Sequence, residues 1–98
     1  MAQRSNDGPA QYVALTGSDQ QAVTGSAVLI GLSVSGGATG PKVNIHDGTA
    51  NTDPLVASIT VGSNGSGTLM LGPNGVALAD GIYVDIVAGN ATGSLLYR

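Results

Sequence analysis

The sequence predicts one small all-β domain, a β-sandwich or jelly-roll-like fold of seven to eight antiparallel strands. Short runs of β-branched and aliphatic residues recur at roughly 8–12-residue spacing, and turns rich in Gly, Asn and Asp separate them. No segment keeps helical periodicity over the roughly 10–12 residues that a helix requires. The chain also contains no Glu and a single Lys, which are common on helix surfaces. Its 98 residues suffice for one domain.

The composition predicts a thin aliphatic core. The sequence has no Phe, Trp or Cys and only three tyrosines, at positions 12, 83 and 97, alongside 16 glycines. Disulfides, thiolate catalysis and Cys-ligated zinc are therefore excluded. Since Val, Ile, Leu and Ala bury less area apiece than aromatic residues do, we expect contacts within an assembly to supply further burial.

The charge pattern narrows the possible partners. The net charge is −3, and the only cations apart from His46 are Arg4, Lys42 and Arg98. Nucleic-acid binding and anionic membrane surfaces both need clustered cations, so neither is expected. The polar first residues resemble neither a signal peptide nor a transmembrane segment, and synthesis in a cytoplasm is the default expectation.

Residues 1–10 are predicted to be a flexible N-terminal arm, and residues 11–98 the β-sandwich domain. The arm has no periodicity and ends at Gly8-Pro9, and it contains Arg4, which is a candidate interface residue. Two interpretations remain open for it: a fraying end, or a tether that ties neighbouring subunits together.

The strand from Ala27 to Ser35 is predicted to be central, because it is the longest apolar run. Strict alternation places Val28, Ile30, Leu32 and Val34 on the core face. The other face, formed by Ala27, Leu29, Gly31 and Ser33, is small and uncharged. Either the second layer of the sandwich or another subunit must cover it, which makes Leu29 and Gly31 candidate oligomer contacts.

The other strands follow the same reasoning along the chain. Tyr12–Leu15 is a short strand, and residues 20–24 either continue it after a bulge or pair back on it. Lys42–Asp47 alternates, with His46 facing outward. Thr68–Leu71 is predicted to pair as a hairpin with the preceding strand. The remaining predicted strands are Leu55–Val61, with Leu55, Ala57, Ile59 and Val61 on one face, Val76–Ala79, Ile82–Val87 and Ser94–Tyr97.

No residue pattern indicates catalysis. His46 beside Asp47 suggests a base with an orienting carboxylate, but neighbours on a strand point to opposite faces and no nucleophile is recognisable. A surface position is the favoured interpretation for His46. Asp80 and Asp85 form an implausible glycosidase pair, because sugar clefts normally need aromatic platforms. We expect no enzymatic activity and no cofactor.

Two loops contain residue types that are found in ligand sites. Asp47, Asn51 and Asp53 lie in one loop with oxygen ligands for a hard cation, but the spacing does not match an EF-hand and no Glu is present. A plain Asx-rich loop is favoured, and no metal is expected. Gly62, Gly65 and Gly67 lack the Lys and the helix of a phosphate loop, and predict a hairpin turn.

Tyr83 and Asp85 are predicted on the outward face of a strand. An exposed tyrosine is a good interface anchor because it buries a large area at low entropic cost. Tyr83 and Asp85 are therefore candidate interface residues, although coverage by the chain's own residues is the favoured alternative for Tyr83.

The order of segments resembles small virion proteins of tailed bacteriophages and prophages. The resemblance covers residues 11–98 and is carried by A-V-L-I-G-L-S-V-S-G-G, P-K-V-N-I-H-D-G-T-A, L-V-A-S-I-T-V, G-I-Y-V-D-I-V-A-G and S-L-L-Y-R. Several such proteins are capsid decoration or cement proteins. The resemblance implies an all-β fold, a structural role on the capsid exterior, and oligomers at capsid symmetry positions, with no catalytic residues.

The resulting expectation is a capsid decoration protein that binds neighbouring major capsid proteins. A homo-oligomer is expected, with a trimer favoured because icosahedral lattices offer threefold sites. The arm and exposed strand edges would add contacts by strand addition. The alternative is a head- or tail-associated module that binds a host receptor or glycan through the loops at 36–41 and 47–54.

Overall fold

The structure is a computed structural model that describes residues 9–72 and 74–98, in which the chain forms nine β-strands and no helix. The strands are β1 (Gln11–Ala14), β2 (Gln20–Thr24), β3 (Ala27–Gly36), β4 (Lys42–Asp47), β5 (Leu55–Thr60), β6 (Ser66–Met70), β7 (Val76–Leu78), β8 (Gly81–Ala88) and β9 (Ala91–Tyr97). All strand pairs are antiparallel. The predicted all-β class is confirmed. Within the described ranges, no helix is long and apolar enough to cross a membrane.

The strands form two sheets in a jelly-roll order. The five-stranded sheet runs β1-β9-β3-β6, with β7 also paired to β3, and the four-stranded sheet runs β2-β8-β4-β5. Because β6 and β7 lie end to end along one side of β3, nine strands fill eight positions. β1 pairs with β9, β2 with β8, β3 with both β6 and β7, and β4 with β5. This is the pairing of a long antiparallel ribbon that is rolled into two sheets.

Aliphatic side chains alone make up the fully buried hydrophobic core, which lies between the two sheets. Both sheets contribute, for example Leu32 and Leu95 from the five-stranded sheet and Ile45 and Val84 from the four-stranded sheet. The full set is Leu15, Val23, Ala27, Leu29, Leu32, Val34, Val43, Ile45, Val61, Leu78, Ile82, Val84, Ala91 and Leu95. Tyr97 packs against this core at its margin.

A β-bulge in the central strand overturns half of the predicted face assignment. The register of β3 against β9 shifts between Leu29 and Gly31, so Ile30 is an extra residue. Before the bulge Leu29 lies in the core at 1% exposure, and after it Leu32 and Val34 do. The predictions for Leu32 and Val34 are confirmed, but those for Val28 and Ile30 are wrong, because both are only half-buried.

The other corrections concern strand partners and one end of β5. The predicted β5–β6 hairpin is wrong, because β6 pairs with β3 in the opposite sheet. Residues 20–24 likewise pair with β8 rather than with the first strand. A second bulge makes Val56 an extra residue in β5, so Leu55 is turned outward and 58% exposed, and it does not share the face of Ala57 and Ile59 as predicted.

Candidate interaction surface

The outer face of the five-stranded sheet carries an apolar row that is exposed at its two ends, half-buried at Leu96 and buried at Gly31. Tyr12, Leu96, Gly31 and Met70 are directly opposite one another across β1, β9, β3 and β6. Their neighbours along the strands, such as Leu32 and Leu95, point into the core, so these four face outward. Tyr12 is 72% exposed and Met70 57%. We call these four residues the apolar row.

Gly31 keeps the apolar row flat. The sulfur of Met70 would lie 2.6 Å from a Cβ atom placed on Gly31, so the methionine side chain lies across the glycine. Any larger residue at position 31 would displace Met70. The thioether is flexible and polarizable, which suits it to contact with an irregular partner surface.

Hydroxyl-bearing and small residues continue this outer face beyond the apolar row. The next two rows across the sheet are Ala14, Ser94, Ser33 and Thr68, followed by Thr92, Ser35 and Ser66. None of these eleven positions, the apolar row included, carries a charged residue. Few charged residues together with Tyr and Met are the composition of the core of a protein interface rather than of an ordinary solvated surface.

The middle of the outer face of the four-stranded sheet is polar, and the exposed Leu55 lies beside it. His46 lies opposite Tyr83 across β4 and β8, and Asn44 lies opposite both Asp85 and Ser58. The Ser58 Oγ donates a hydrogen bond to Asn44 Oδ1 at 2.7 Å. The two outer faces thus differ: the eleven positions of the five-stranded sheet are uncharged, with Arg98 beside them at the end of β9, whereas the middle of the four-stranded sheet carries a carboxylate, an amide and an imidazole.

His46 is buried, contrary to the predicted surface position. Its residue exposure is 6%, and its Nδ1 lies 2.8 Å from the carbonyl oxygen of Asp53. Because a carbonyl only accepts, the ring proton is assigned to Nδ1. His46 therefore ties β4 to the loop that connects β4 with β5.

The second nitrogen of His46 faces a carboxylate. Its Nε2 lies 3.7 Å from Asp85 Oδ2 and is buried without a hydrogen-bond partner among the described residues. One nitrogen thus faces a carbonyl and the other a carboxylate. A base in a catalytic triad instead contacts a nucleophile on one side and an orienting group on the other. Neither nitrogen of His46 faces a nucleophile, so its contacts are those of a histidine that holds strands and loops together.

The Asx-rich loop uses its carboxylates to cap backbone amides. Asp53 Oδ2 accepts hydrogen bonds from Thr49 N at 2.8 Å and Ala50 N at 3.1 Å. The carboxylate of Asp47 accepts from Ala79 N and Asp80 N, at 3.1 and 2.9 Å, and so joins this loop to the β7–β8 turn. Among the residues with described placement, no group of three or more His, Cys, Asp or Glu is placed to hold a metal ion.

Replacing Asp47 with alanine is expected to lower the free energy of unfolding by about 1–2 kcal/mol, because two amides lose a charged acceptor. Urea denaturation followed by circular dichroism measures the effect. Asp80→Ala is the control, since Asp80 is an exposed carboxylate in the same turn. Equal destabilisation by the two variants would contradict the capping role of Asp47.

The structure distributes the predicted interface residues over different regions. Leu29 is inside the core, so the second sheet covers it and it is not available to another subunit. Gly31 lies in the apolar row, whereas Tyr83 and Asp85 lie half-buried on the opposite outer face. Arg4 and residues 1–8 of the predicted arm lie outside the described residues.

Sequence reasoning missed the three side chains of the apolar row. Tyr12, Met70 and Leu96 belong to strands far apart in the chain, and only the jelly-roll pairing brings them together. The sequence contained only a local signal. Leu96 follows the core residue Leu95, and Met70 follows Leu69, so alternation turns both side chains outward.

The fold and its surfaces define a small jelly-roll sandwich whose five-stranded sheet has a largely uncharged, partly apolar outer face. Comparison with protein-family models, with curated proteins and with solved structures gave no match to this chain. Its function is therefore inferred from its own surfaces.

Proposed function

We propose that the chain is a structural virion protein of the capsid decoration or cement type. It binds the outside of a capsid and stabilises the contacts between neighbouring major capsid proteins. The observation that carries this proposal is the uncharged part of the outer face of the five-stranded sheet, which comprises the eleven positions named above, with Tyr12 and Met70 exposed near its edges.

This face suits a large and flat partner such as a capsid lattice. A pleated sheet surface offers many contacts at once without a pocket, and burying uncharged side chains requires no desolvation of ions. Repetition over a lattice makes many weak contacts act together, so each single contact can be modest. Tyrosine and methionine bury large areas and adapt to small differences between symmetry-related sites.

The strand order gives secondary support. Jelly rolls recur in viral capsid proteins, although also in lectins and cupins, so the fold is compatible with the proposal and does not select it. Bound to the capsid exterior, the protein forms a homo-oligomer, with a trimer favoured because an icosahedral lattice offers threefold positions; no trimer is required of the free protein. The partner is the major capsid protein.

The alternative, a module that binds a host receptor or glycan, has less support. All three tyrosines lie on strands, so the loops at 36–41 and 47–54 contain no aromatic platform for a sugar ring. The loop at 47–54 is also held by Asp53 and His46, and these contacts occupy Oδ2 and the carbonyl oxygen of Asp53. A glycan array tests this alternative directly.

The proposal is tested with empty heads from a phage or prophage that encodes the chain, prepared after deletion of its gene. Purified protein is expected to bind these heads saturably and to raise the temperature at which they disrupt. Met70→Lys is expected to weaken binding at least tenfold, because an ammonium would be desolvated in the contact.

Val87→Lys is the matched control. Val87 is 52% exposed, close to the 57% of Met70, but belongs to the opposite sheet. Its variant is expected to bind like the unmodified protein. Absence of binding by the unmodified protein, or equal loss in both variants, would refute the proposed contact face.

A further inference from the structure

We propose that the free edge of β5 pairs with β5 of a second copy of this chain, which gives a reversible two-fold dimer. β5 is the last strand of the four-stranded sheet and pairs only with β4. On its other side, no backbone group of residues 55–60 is hydrogen-bonded to another described residue. This edge is therefore a row of donors and acceptors that another strand can satisfy.

The sequence of β5 lacks the devices that usually prevent edge pairing. Its six residues, L-V-A-S-I-T, include no charge, no Pro and no Gly. The bulge at Val56 bends only the first part, and Ala57–Thr60 keep an unbroken register against β4. The exposed Leu55 adds apolar area at the start of the edge. Unprotected edges of this kind are templates for further strands.

The opposite side of the sandwich is closed by the chain itself. There the loop between β1 and β2 joins the two edges, and the Gln20 side chain donates to Ala14 O at 3.2 Å and accepts from Thr16 N at 2.8 Å. β2 is also interrupted by a bulge between Gln21 and Val23. Of the two sides, the one bearing β5 offers the longer regular edge.

A second copy is the occupant that this edge fits. An antiparallel pair of identical strands about a two-fold axis places residues of the same face opposite one another, and an uncharged strand meets no repulsion from itself. β6, the edge strand of the other sheet, lies next to β5, since Ile59 of β5 lies over Gly67 of β6. The same two-fold axis therefore brings β6 close to β6 of the second copy. The Ile59 Cδ1 atom would be 3.1 Å from a Cβ on Gly67, so the two layers are thin at this side.

The contact is small, which makes the dimer reversible. A strand of six residues is about 20 Å long, and two stacked sheets with their side chains are about 20 Å deep, so each copy buries roughly 400 Å². That is half of the ~800 Å² per partner in a standard interface. We expect a dissociation constant in the micromolar range. The inference does not depend on the proposed function, since the dimer forms without capsids.

Multi-angle light scattering over ~1–500 μM protein tests this inference. The unmodified chain is expected to pass from monomer to dimer, and Ser58→Lys to remain a monomer over the whole range. Ser58 is exposed at the middle of the regular part of β5, where two copies would bring like charges together. Thr60→Lys, at the exposed end of the strand, is a second variant in case Ser58→Lys folds poorly.

Ser33→Lys is the matched control, because it makes the same change at an exposed site on the other sheet. It is expected to dimerise normally and, if the proposed capsid face is correct, to lose capsid binding. Amide hydrogen exchange gives a direct readout, with β5 amides expected to slow as concentration rises. A protein that stays monomeric at 500 μM, or an oligomer of any size that the β5 variants leave unchanged, would overturn the inference.

Discussion

Replacing Gly93 with alanine is expected to lower the free energy of unfolding by about 3 kcal/mol or more. Gly93 lies in β9 opposite Val34, with φ +132°, a conformation that L-residues rarely adopt. A Cβ atom there would also collide with the carbonyl oxygen of Ser33, which belongs to the central strand. Backbone strain and overpacking therefore act together, and each costs roughly 1–3 kcal/mol.

The effect of Gly93→Ala is measured by urea denaturation, with tyrosine fluorescence and far-ultraviolet circular dichroism as probes. Gly37→Ala is the matched control, since a Cβ there meets no atom within 4 Å and Gly37 has no positive φ. That variant is expected to stay within about 0.5 kcal/mol of the unmodified protein. Similar losses for both glycines would contradict the close approach of β9 to β3.

The strand content and much of the alternation could be predicted because they depend on local pattern. In β8, Tyr83 and Asp85 lie on the outer face as predicted, and alternation from them places Ile82 and Val84 in the core, where both are fully buried. A two-residue period in the sequence is sufficient for such a strand, since no bulge interrupts these residues.

Strand pairing could not be predicted, because it depends on contacts between distant parts of the chain. The turn at 61–65 has the composition of a hairpin, yet β5 and β6 separate into different sheets. Both strands make their backbone hydrogen bonds with other partners: β6 pairs along residues 31–35 of β3, and β5 pairs with β4. The turn residues allow either connection, so they do not decide between them.

The candidate surface shares this dependence on topology. The apolar row takes one residue from each of four strands, and no two of these residues are close in sequence. His46 was missed for a different reason. Its outward side chain is covered by contacts to Asp53 and Asp85, and alternation alone does not reveal that an outer face is covered.

The bulge at Ile30 predicts which of two adjacent substitutions in β3 lowers the free energy of unfolding more, and uninterrupted alternation predicts the opposite order. Leu29→Ala is expected to lower the free energy of unfolding by about 3 kcal/mol, because Leu29 is 1% exposed and its removal leaves a cavity between the sheets. Ile30→Ala is expected to cost about 1 kcal/mol, since Ile30 is half-buried on the outer side and water can fill the vacated space.

The order of the two losses is the decisive quantity, because both variants remove a large aliphatic side chain from adjacent positions of one strand. Uninterrupted alternation from Leu32 and Val34 would place Ile30 in the core and Leu29 outside, and would reverse the order. Denaturation of both variants under the same conditions measures the difference directly. A larger loss for Ile30→Ala would mean that β3 pairs with β9 without the bulge, and Leu29 would then lie on the same outer face as Gly31, as a candidate contact.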